Sequence, residues 1–224
     1  MKKTFQLPRP WALAAFLVLA GVNSSHAACD TTENVLLGGG GDFTSIQSAV
    51  NALPEPIPND WCINVDSSTY SEQITVQNRT FSYSSNTLTI QSHPALVSTQ
   101  AAINPPANST AAFVIANASV SVLGISIIST NSVTYGIYVS SSYVTISSVS
   151  IFNTGNIQSA GVLVPSWSSV LYSSISVQTA HGLVMTGSNN TVSFSTITDN
   201  VSGYFALYIN AASSNVVTRS QISN

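Results

Sequence analysis

Two patterns of small and apolar residues recur along the chain from residue 112 onward. In the first, three apolar residues occupy positions 1, 3 and 6 of a six-residue segment. In the second, a small residue is followed by apolar residues one and three positions later. The copies of the first pattern are Val120-Val122-Ile125, Val144-Ile146-Val149, Val170-Tyr172-Ile175, Val192-Phe194-Ile197 and Val217-Arg219-Ile222. The copies of the second begin at Ala112, Gly136, Gly161, Gly182 and Ala206.

Successive copies start 21 to 26 residues apart, and the two patterns keep the same period. A shared period of this length is typical of solenoid proteins. Valine and isoleucine alternate here with serine, threonine and glycine, which indicates short strands rather than helices. The repeats therefore predict an all-β fold: a right-handed parallel β-helix, or β-solenoid, with coils of about 24 residues.

Strand alternation also predicts which side chains face solvent. If the first pattern faces inward, two outward columns consist almost entirely of serine and threonine. These are Ser121, Thr145, Leu171, Ser193 and Thr218, and Ser126, Ser150, Ser176, Thr198 and Ser223. The outward column of the third strand is apolar instead, and its members are Val114, Tyr138, Leu163, Val184 and Tyr208.

The segment before the repeats predicts an N-terminal cap over residues 28–66, followed by coils over residues 67–224. Apolar residues at helical spacing predict a cap helix over about residues 43–53, with Asp42 as its N-cap and Pro54 after its end. Such a cap covers the apolar end and the strand edges of the first coil. The last coil ends without a comparable cover, so we expect the solenoid to continue beyond residue 224 or to associate with another copy there.

The first 27 residues have the features of a secretory signal. Lys2, Lys3 and Arg9 precede an apolar stretch at 11–22, and small residues lead to a cleavage site before Ala28. The alternative is an N-terminal membrane anchor, but the apolar stretch is short for a bilayer span. We therefore expect a protein exported to the periplasm, outer membrane, cell surface or medium.

Two cysteines, Cys29 and Cys62, remain after that cleavage. In an exported chain they predict a disulfide that ties the cap to the first coil. A closed loop of about 34 residues corresponds to roughly 3–4 kcal/mol in the chain-entropy account. The alternative is lipid attachment at Cys29, because the preceding residues are similar to the end of a bacterial lipoprotein signal.

Charge is scarce, at 6% of all residues. Without the signal, Arg79 and Arg219 stand against eight acidic residues, and residues 81–198 contain no Asp, Glu, Lys or Arg. Too few cations remain to neutralise phosphates, which excludes a nucleic-acid binder. No spacing of a metal site or phosphate-binding loop occurs, so we expect no cofactor and no metal.

Residues 41–50, Gly-Asp-Phe-Thr-Ser-Ile-Gln-Ser-Ala-Val, resemble the opening of pectin methylesterases and other pectin-lyase-like β-helix proteins. Residues 68–74, Ser-Thr-Tyr-Ser-Glu-Gln-Ile, resemble their Gly-Thr-Tyr-x-Glu-x-Val segment, with Ser68 in place of glycine. With the coils, the resemblance covers nearly the whole mature chain. It implies the parallel β-helix fold, whereas function depends on the residues of the site.

The catalytic motifs of that superfamily are absent from this chain. The paired aspartates and arginine of pectin methylesterases have no counterpart, and the charge-free coils lack the acidic calcium ligands of pectate lyases. Glycoside hydrolysis usually needs two carboxylates, and the coils after residue 80 hold one, Asp199. We interpret Asp199 and His181 as turn residues, expect no catalytic residue in this segment, and regard an enzyme as the less favoured class.

These features favour a secreted or cell-surface repeat protein that serves as a rigid scaffold for display, adhesion or glycan interaction. Tyr138, Leu163 and Tyr208 of the apolar column are the candidate contacts with a polysaccharide or host-surface ligand, and Trp167 is a weaker one. One alternative is the N-terminal part of a pectin-lyase-like lyase or hydrolase whose catalytic residues lie downstream. An ice-binding solenoid is a further alternative, suggested by the regular hydroxyl columns.

Overall fold

The computed structural model describes residues 29–93, 100–152, 155–210 and 212–224. These residues form a parallel β-solenoid with one short helix near the N-terminus. The chain passes through three sheets in the same order in each coil, and the strand pairs of neighbouring coils are parallel. The all-β solenoid predicted from the repeats is therefore confirmed.

Each sheet is built from one strand per coil. Sheet 1 contains β1 Thr31–Val35, β2 Trp61–Val65, β5 Leu88–Ser92, β8 Val120–Leu123, β11 Thr145–Ser147, β14 Ser169–Leu171, β17 Thr191–Ser193 and β20 Val216–Thr218. Sheet 2 contains β3 Thr69–Tyr70, β6 Ala101–Ile103, β9 Ile125–Ile127, β12 Ser150–Phe152, β15 Ser174–Val177, β18 Thr196–Asp199 and β21 Gln221–Ser223. Sheet 3 contains β4 Ile74–Gln77, β7 Phe113–Ala116, β10 Val133–Val139, β13 Ile157–Val164, β16 His181–Met185 and β19 Leu207–Ile209.

The core consists of aliphatic columns that run along the solenoid axis. In sheet 1, Ile146 pairs with Val122 below it and Val170 above it. In sheet 3, Val162 lies between Ile137 and Leu183 in the same way, so the second sequence pattern keeps its predicted register. All six side chains are buried. Burying one aliphatic side chain contributes about 1.5–3 kcal/mol, so these columns are the main stabilising feature of the coils.

The first sequence pattern is shifted by two residues from its third copy onward. Val170 pairs with Ile146 and not with Val144, and Ile175 pairs with Ile151 and not with Val149. A two-residue shift leaves every side chain on the same face of a strand, so alternation alone does not reveal it. The predicted hydroxyl columns therefore need correction: Leu171 pairs with Ser147, and Ser176 pairs with Phe152.

The shift also removes three residues from the predicted core. Tyr172, Phe194 and Arg219 lie at the tight corner between sheets 1 and 2, with φ values of 50°, 52° and 49°. Their side chains face solvent, and Tyr172 and Phe194 are 47% and 43% exposed. The prediction that these positions point inward was wrong.

The cap helix, α1, spans Ile46–Ala52, and its C-cap is Leu53, directly before Pro54. Its N-cap is Ser45, whose side chain accepts a hydrogen bond from the Ser48 backbone N–H. Asp42 was expected in that role, but its carboxylate accepts from the Asn34 N–H instead. Two backbone N–H groups of the first turn donate to a side chain from outside the helix. The Glu72 carboxylate accepts from the Ile46 and Gln47 N–H groups at 2.8 and 2.9 Å.

Cys29 and Cys62 form a disulfide, as expected, with 5.7 Å between their Cα atoms. It joins Cys29, two residues before β1, to the second residue of β2, so the lipid-linked alternative for Cys29 does not apply to this structure. The predicted signal at residues 1–27 lies outside the described residues. Within the described part of the chain, no helix has the length and apolar character needed to cross a membrane.

Candidate functional site

The outer face of sheet 3 carries the apolar column predicted from the sequence. Tyr138 pairs with Val114 and Leu163, Leu163 pairs with Val184, and Val184 pairs with Tyr208. The five residues are therefore in register in five successive coils. Val184 is 8% exposed, while Tyr208 at the C-terminal end of the column is 38% exposed. We call this column the apolar stripe.

Aromatic rings lie at two levels beside the apolar stripe. Tyr135 packs against Tyr138 within β10, with 5.0 Å between ring centroids. Two coils further on, His181 stacks on Tyr208 at 5.1 Å and on Phe205 at 5.7 Å, with interplanar angles of 16° and 3°. Leu163 and Val184 separate the two levels. The face is therefore a short apolar floor with aromatic rings at both ends.

His181 is held in this stack by a specific hydrogen bond. Its Nδ1 accepts from the backbone N–H of Phe205 at 3.0 Å, so Nδ1 carries no proton in this arrangement. The Tyr204 ring meets the imidazole edge-on, with 5.4 Å between ring centroids. The connection between β18 and β19 is thereby attached to sheet 3. We call His181, Tyr204, Phe205 and Tyr208 the aromatic cluster.

His181 occupies the position immediately before Gly182, which is the small residue of the second pattern in this coil. A Cβ at Gly182 would lie 2.5 Å from the Ala206 carbonyl oxygen, so the backbone of neighbouring coils approaches too closely here for a side chain. The residue immediately before this position is aromatic in three of the five coils, as Tyr135, His181 and Phe205, and it is alanine in the other two. Sequence reasoning assigned His181 to a turn. Extending the second pattern by one residue toward the N-terminus would have found this column.

A cleft of about 560 Å³ adjoins the aromatic cluster. It is lined by residues 200–205 and by Asn224, so Tyr204 and Phe205 belong to both. The Asn224 side chain anchors this connection, since its Oδ1 accepts from the Ala206 N–H and its Nδ2 donates to the Tyr204 carbonyl. The cleft provides amide and hydroxyl groups beside aromatic rings.

The structure brings Tyr138, Leu163 and Tyr208 together and places Trp167 elsewhere. Trp167 lies at the corner between sheets 3 and 1, where it stacks on Tyr143 with 6.2 Å between ring centroids. Its side chain is 53% exposed. The candidate contacts predicted from the sequence thus belong to two different surfaces.

His181 and Asp199 do not form an acid–base pair. Asp199 occupies the inward position of β18 next to Val177 and is 1% exposed. Its Oδ1 accepts from the Val201 N–H, while the imidazole of His181 bonds the Phe205 N–H on the outer face of sheet 3. The two side chains therefore serve separate local contacts.

The acidic residues of the cap make structural contacts. Tyr70 donates its hydroxyl proton to Asp66 at 2.6 Å and also lies 3.0 Å from the Val35 carbonyl oxygen. Burial alone would raise the pKa of Asp66, but the hydrogen bonds from Tyr70 and Ser68 outweigh it and lower that pKa. Burial and the adjacent Asp66 carboxylate raise the pKa of Tyr70. Among the described residues, no group of three or more His, Cys, Asp or Glu side chains is arranged to hold a metal ion.

No protein-family model and no curated protein matches this chain. Among solved structures, it is similar to the pectin methylesterase from Aspergillus niger, with 12% sequence identity and a TM-score of 0.43. The similarity covers 88% of this chain and 87% of that one. Such a distant likeness does not bear on activity, and the assignment of the fold rests on the strand register described above.

Proposed function

We propose that this protein is a rigid β-helix scaffold of the cell exterior that binds glycans through the outer face of sheet 3. The observation that carries this proposal is the register of the apolar stripe, which ends in the aromatic cluster. A partly exposed apolar strip bordered by rings and polar groups is characteristic of a ligand surface. Display or adhesion follows from such a surface, because the stacked coils hold it straight and rigid.

The chemistry of the face fits a sugar chain. Sugar rings present C–H groups on their faces and hydroxyls at their edges, so they pack on aromatic and aliphatic side chains while bonding polar groups nearby. The Tyr208 and Phe205 rings supply the stacking surfaces, and Asn200, Ser202 and Asn224 line the neighbouring cleft. The absence of charge between residues 81 and 198 favours a neutral ligand over a strongly charged one.

An exterior location is supported by the cysteines and by the predicted signal. Disulfides persist in oxidising compartments, and Cys29–Cys62 joins segments of the cap that are 33 residues apart in sequence. The apolar segment at 11–22, with its basic flank, supplies the expected export signal.

We further propose that this segment binds without cleaving. Hydrolysis of a glycosidic bond usually needs two carboxylates on either side of it, about 5 to 9.5 Å apart. Asp199 is the acidic residue of the coils after residue 80, and it faces the core rather than the apolar stripe. Incubation with polysaccharides should release no soluble oligosaccharides. Release of sugars would favour the alternative of a lyase or hydrolase.

Retention on insoluble polysaccharides tests the proposal. We expect the purified protein to be retained by at least one of cellulose, chitin, xylan or mannan, and the double variant Tyr138→Ser, Tyr208→Ser to be retained more weakly. Tyr83→Ser is the matched control, because Tyr83 is 68% exposed and lies between β4 and β5, away from the apolar stripe. Absence of retention on all four supports, or equal retention of the double variant, would refute the proposal.

A further inference from the structure

The outer face of sheet 1 is bordered on both sides by exposed aromatic rings. Tyr143 and Trp167 stack at the corner where the chain enters this sheet, and they are 65% and 53% exposed. Tyr172 and Phe194 stack at the corner where it leaves, with 4.9 Å between ring centroids and an interplanar angle of 9°. This face lies on a different sheet from the apolar stripe.

These rings occupy backbone positions that do not favour them. Tyr143, Trp167, Tyr172 and Phe194 have φ values of 63°, 58°, 50° and 52°, in the left-handed region that bulky residues adopt rarely. The corner of Tyr172 and Phe194 holds Gly124 and Ser148 in the two preceding coils. Smaller residues therefore suit the same corner. A large apolar side chain that stays exposed adds little to the stability of the fold, and a left-handed backbone conformation lowers that stability. Four such residues around one face therefore indicate a role in binding.

The floor between the two aromatic pairs is neutral and rich in hydroxyls. Thr145 pairs with Ser169, which pairs with Thr191, and the next outward column contains Ser147, Leu171 and Ser193. Trp167 lies two residues before β14 and Tyr172 directly follows it, so the two are at most about 16 Å apart at the usual rise of a strand. Hydroxyls thus repeat at the spacing of neighbouring strands, about 4.8 Å, between two aromatic borders.

We propose that this face is a second glycan-binding surface that takes a neutral sugar chain running across the strands. The C–H faces of the sugars pack against the aromatic borders, and their hydroxyls bond the serine and threonine side chains of the floor. Charge favours a neutral chain over an acidic one, because residues 81–198 carry no cation, and Arg219 at the edge of this face lies over the Phe194 ring at 5.1 Å from its centroid. The proposal goes beyond sheet 3, since neither Tyr138 nor Tyr208 takes part in it.

Trp167 provides a direct signal for this surface. The only other tryptophan outside the predicted signal segment is Trp61, which is partly buried against the core of the cap. We would titrate the protein with the neutral hexasaccharides cellohexaose, xylohexaose and mannohexaose, with hexagalacturonate as the charged comparison. At least one neutral sugar should shift the Trp167 emission to the blue in a saturable way and reduce its quenching by acrylamide.

The double variant Tyr172→Ser, Phe194→Ser retains Trp167 and removes the opposite border. It should fold, because Ser148 already occupies the same corner, and its affinity should fall by about tenfold, as expected for truncated aromatic anchors. Phe152→Ser is the matched control, since Phe152 is 65% exposed on sheet 2. The Tyr138→Ser, Tyr208→Ser variant should respond like the unmodified protein even if sheet 3 binds no glycan.

Three results would overturn the proposal. One is an emission of Trp167 that none of the neutral hexasaccharides changes. Another is an unchanged affinity in the Tyr172→Ser, Phe194→Ser variant. The third is a response to hexagalacturonate alone, which would mean that the surface recognises a charged ligand.

Discussion

The imidazole Nδ1 of His181 accepts the backbone N–H of Phe205 at 3.0 Å, and the two rings are parallel with 5.7 Å between their centroids. One side chain thus holds the connection between β18 and β19 against sheet 3 by a hydrogen bond and by stacking. The aromatic cluster and the cleft beside it both depend on where this connection lies.

We predict that His181→Phe loosens the connection while keeping a ring in the stack. The variant lacks the acceptor for the Phe205 N–H, and a typical hydrogen bond contributes about 0.5–1.5 kcal/mol. Hydrogen exchange of the Phe205 amide should therefore become up to about tenfold faster, with little change in the amides of β10. Unchanged exchange at Phe205 would show that the connection is held by other contacts.

The Tyr70–Asp66 hydrogen bond should make stability depend on pH in the acidic range. Because the pKa of Asp66 is lowered below its usual 3.8 in the folded protein, its contribution is complete above that value and is lost as pH falls through the folded pKa. Tyr70→Phe should lower the free energy of unfolding at neutral pH by about 1–2 kcal/mol, since the Asp66 carboxylate loses the donor of a charge-assisted hydrogen bond.

Urea unfolding of both proteins between neutral and acidic pH measures this effect. The difference between them should shrink below about pH 4, where the carboxyl group is protonated in the unfolded chain. It should not vanish, because the Tyr70 hydroxyl also lies 3.0 Å from the Val35 carbonyl oxygen, a contact that does not depend on the ionisation of Asp66. A difference that is constant with pH would mean that Asp66 does not contribute.

The disulfide should stabilise the cap without shaping the binding faces. Replacing both Cys29 and Cys62 by serine should lower the free energy of unfolding by roughly 3–4 kcal/mol in the chain-entropy account. Polysaccharide retention at a temperature below the new unfolding midpoint should remain, because sheet 3 begins at Ile74, outside the closed loop. An unaltered unfolding midpoint would contradict the stabilising role.

Close backbone approach at Gly182 predicts a large cost for the smallest side chain. A Cβ there would lie 2.5 Å from the Ala206 carbonyl oxygen and 2.6 Å from Ile197 Cγ2. Gly182→Ala should destabilise the protein by about 1–3 kcal/mol through overpacking. Gly38→Ala is the control, since nothing lies within 4 Å of its Cβ position. Thermal unfolding compares the two, and equal midpoints would argue against the register of β16 and β19.

Much of the fold follows from local chemistry in the sequence. Alternating valine and isoleucine with a common period predicted the three-sheet coil, and the small residue of the second pattern marked the close approach now seen at Gly182. The register of Val170 did not follow, because a shift of two residues preserves the alternation on which the prediction relied. Ser45 and Asp42 are both good N-caps, so only the packed structure distinguishes them.

The candidate site was predictable where it repeats and unpredictable where it does not. Tyr138, Leu163 and Tyr208 recur at one position of the coil, so strand alternation placed them on one column. Tyr204 belongs to a connection without a repeat, and its position depends on the distant contact with His181. The corner of sheet 1 that holds Tyr172 and Phe194 was missed because both residues were assigned to the core, whereas Trp167 at the opposite corner was among the predicted contacts.

The measurement that tests the central claim most directly is ¹⁹F NMR of the protein labelled with 3-fluorotyrosine, titrated with a soluble oligomer of a retained polysaccharide. The eight tyrosines report on separate surfaces of one molecule. We predict saturable shifts for Tyr138 and Tyr208, and none for Tyr83, which is 68% exposed. Bound sugar that leaves the Tyr138 and Tyr208 signals unmoved would contradict glycan binding by the outer face of sheet 3.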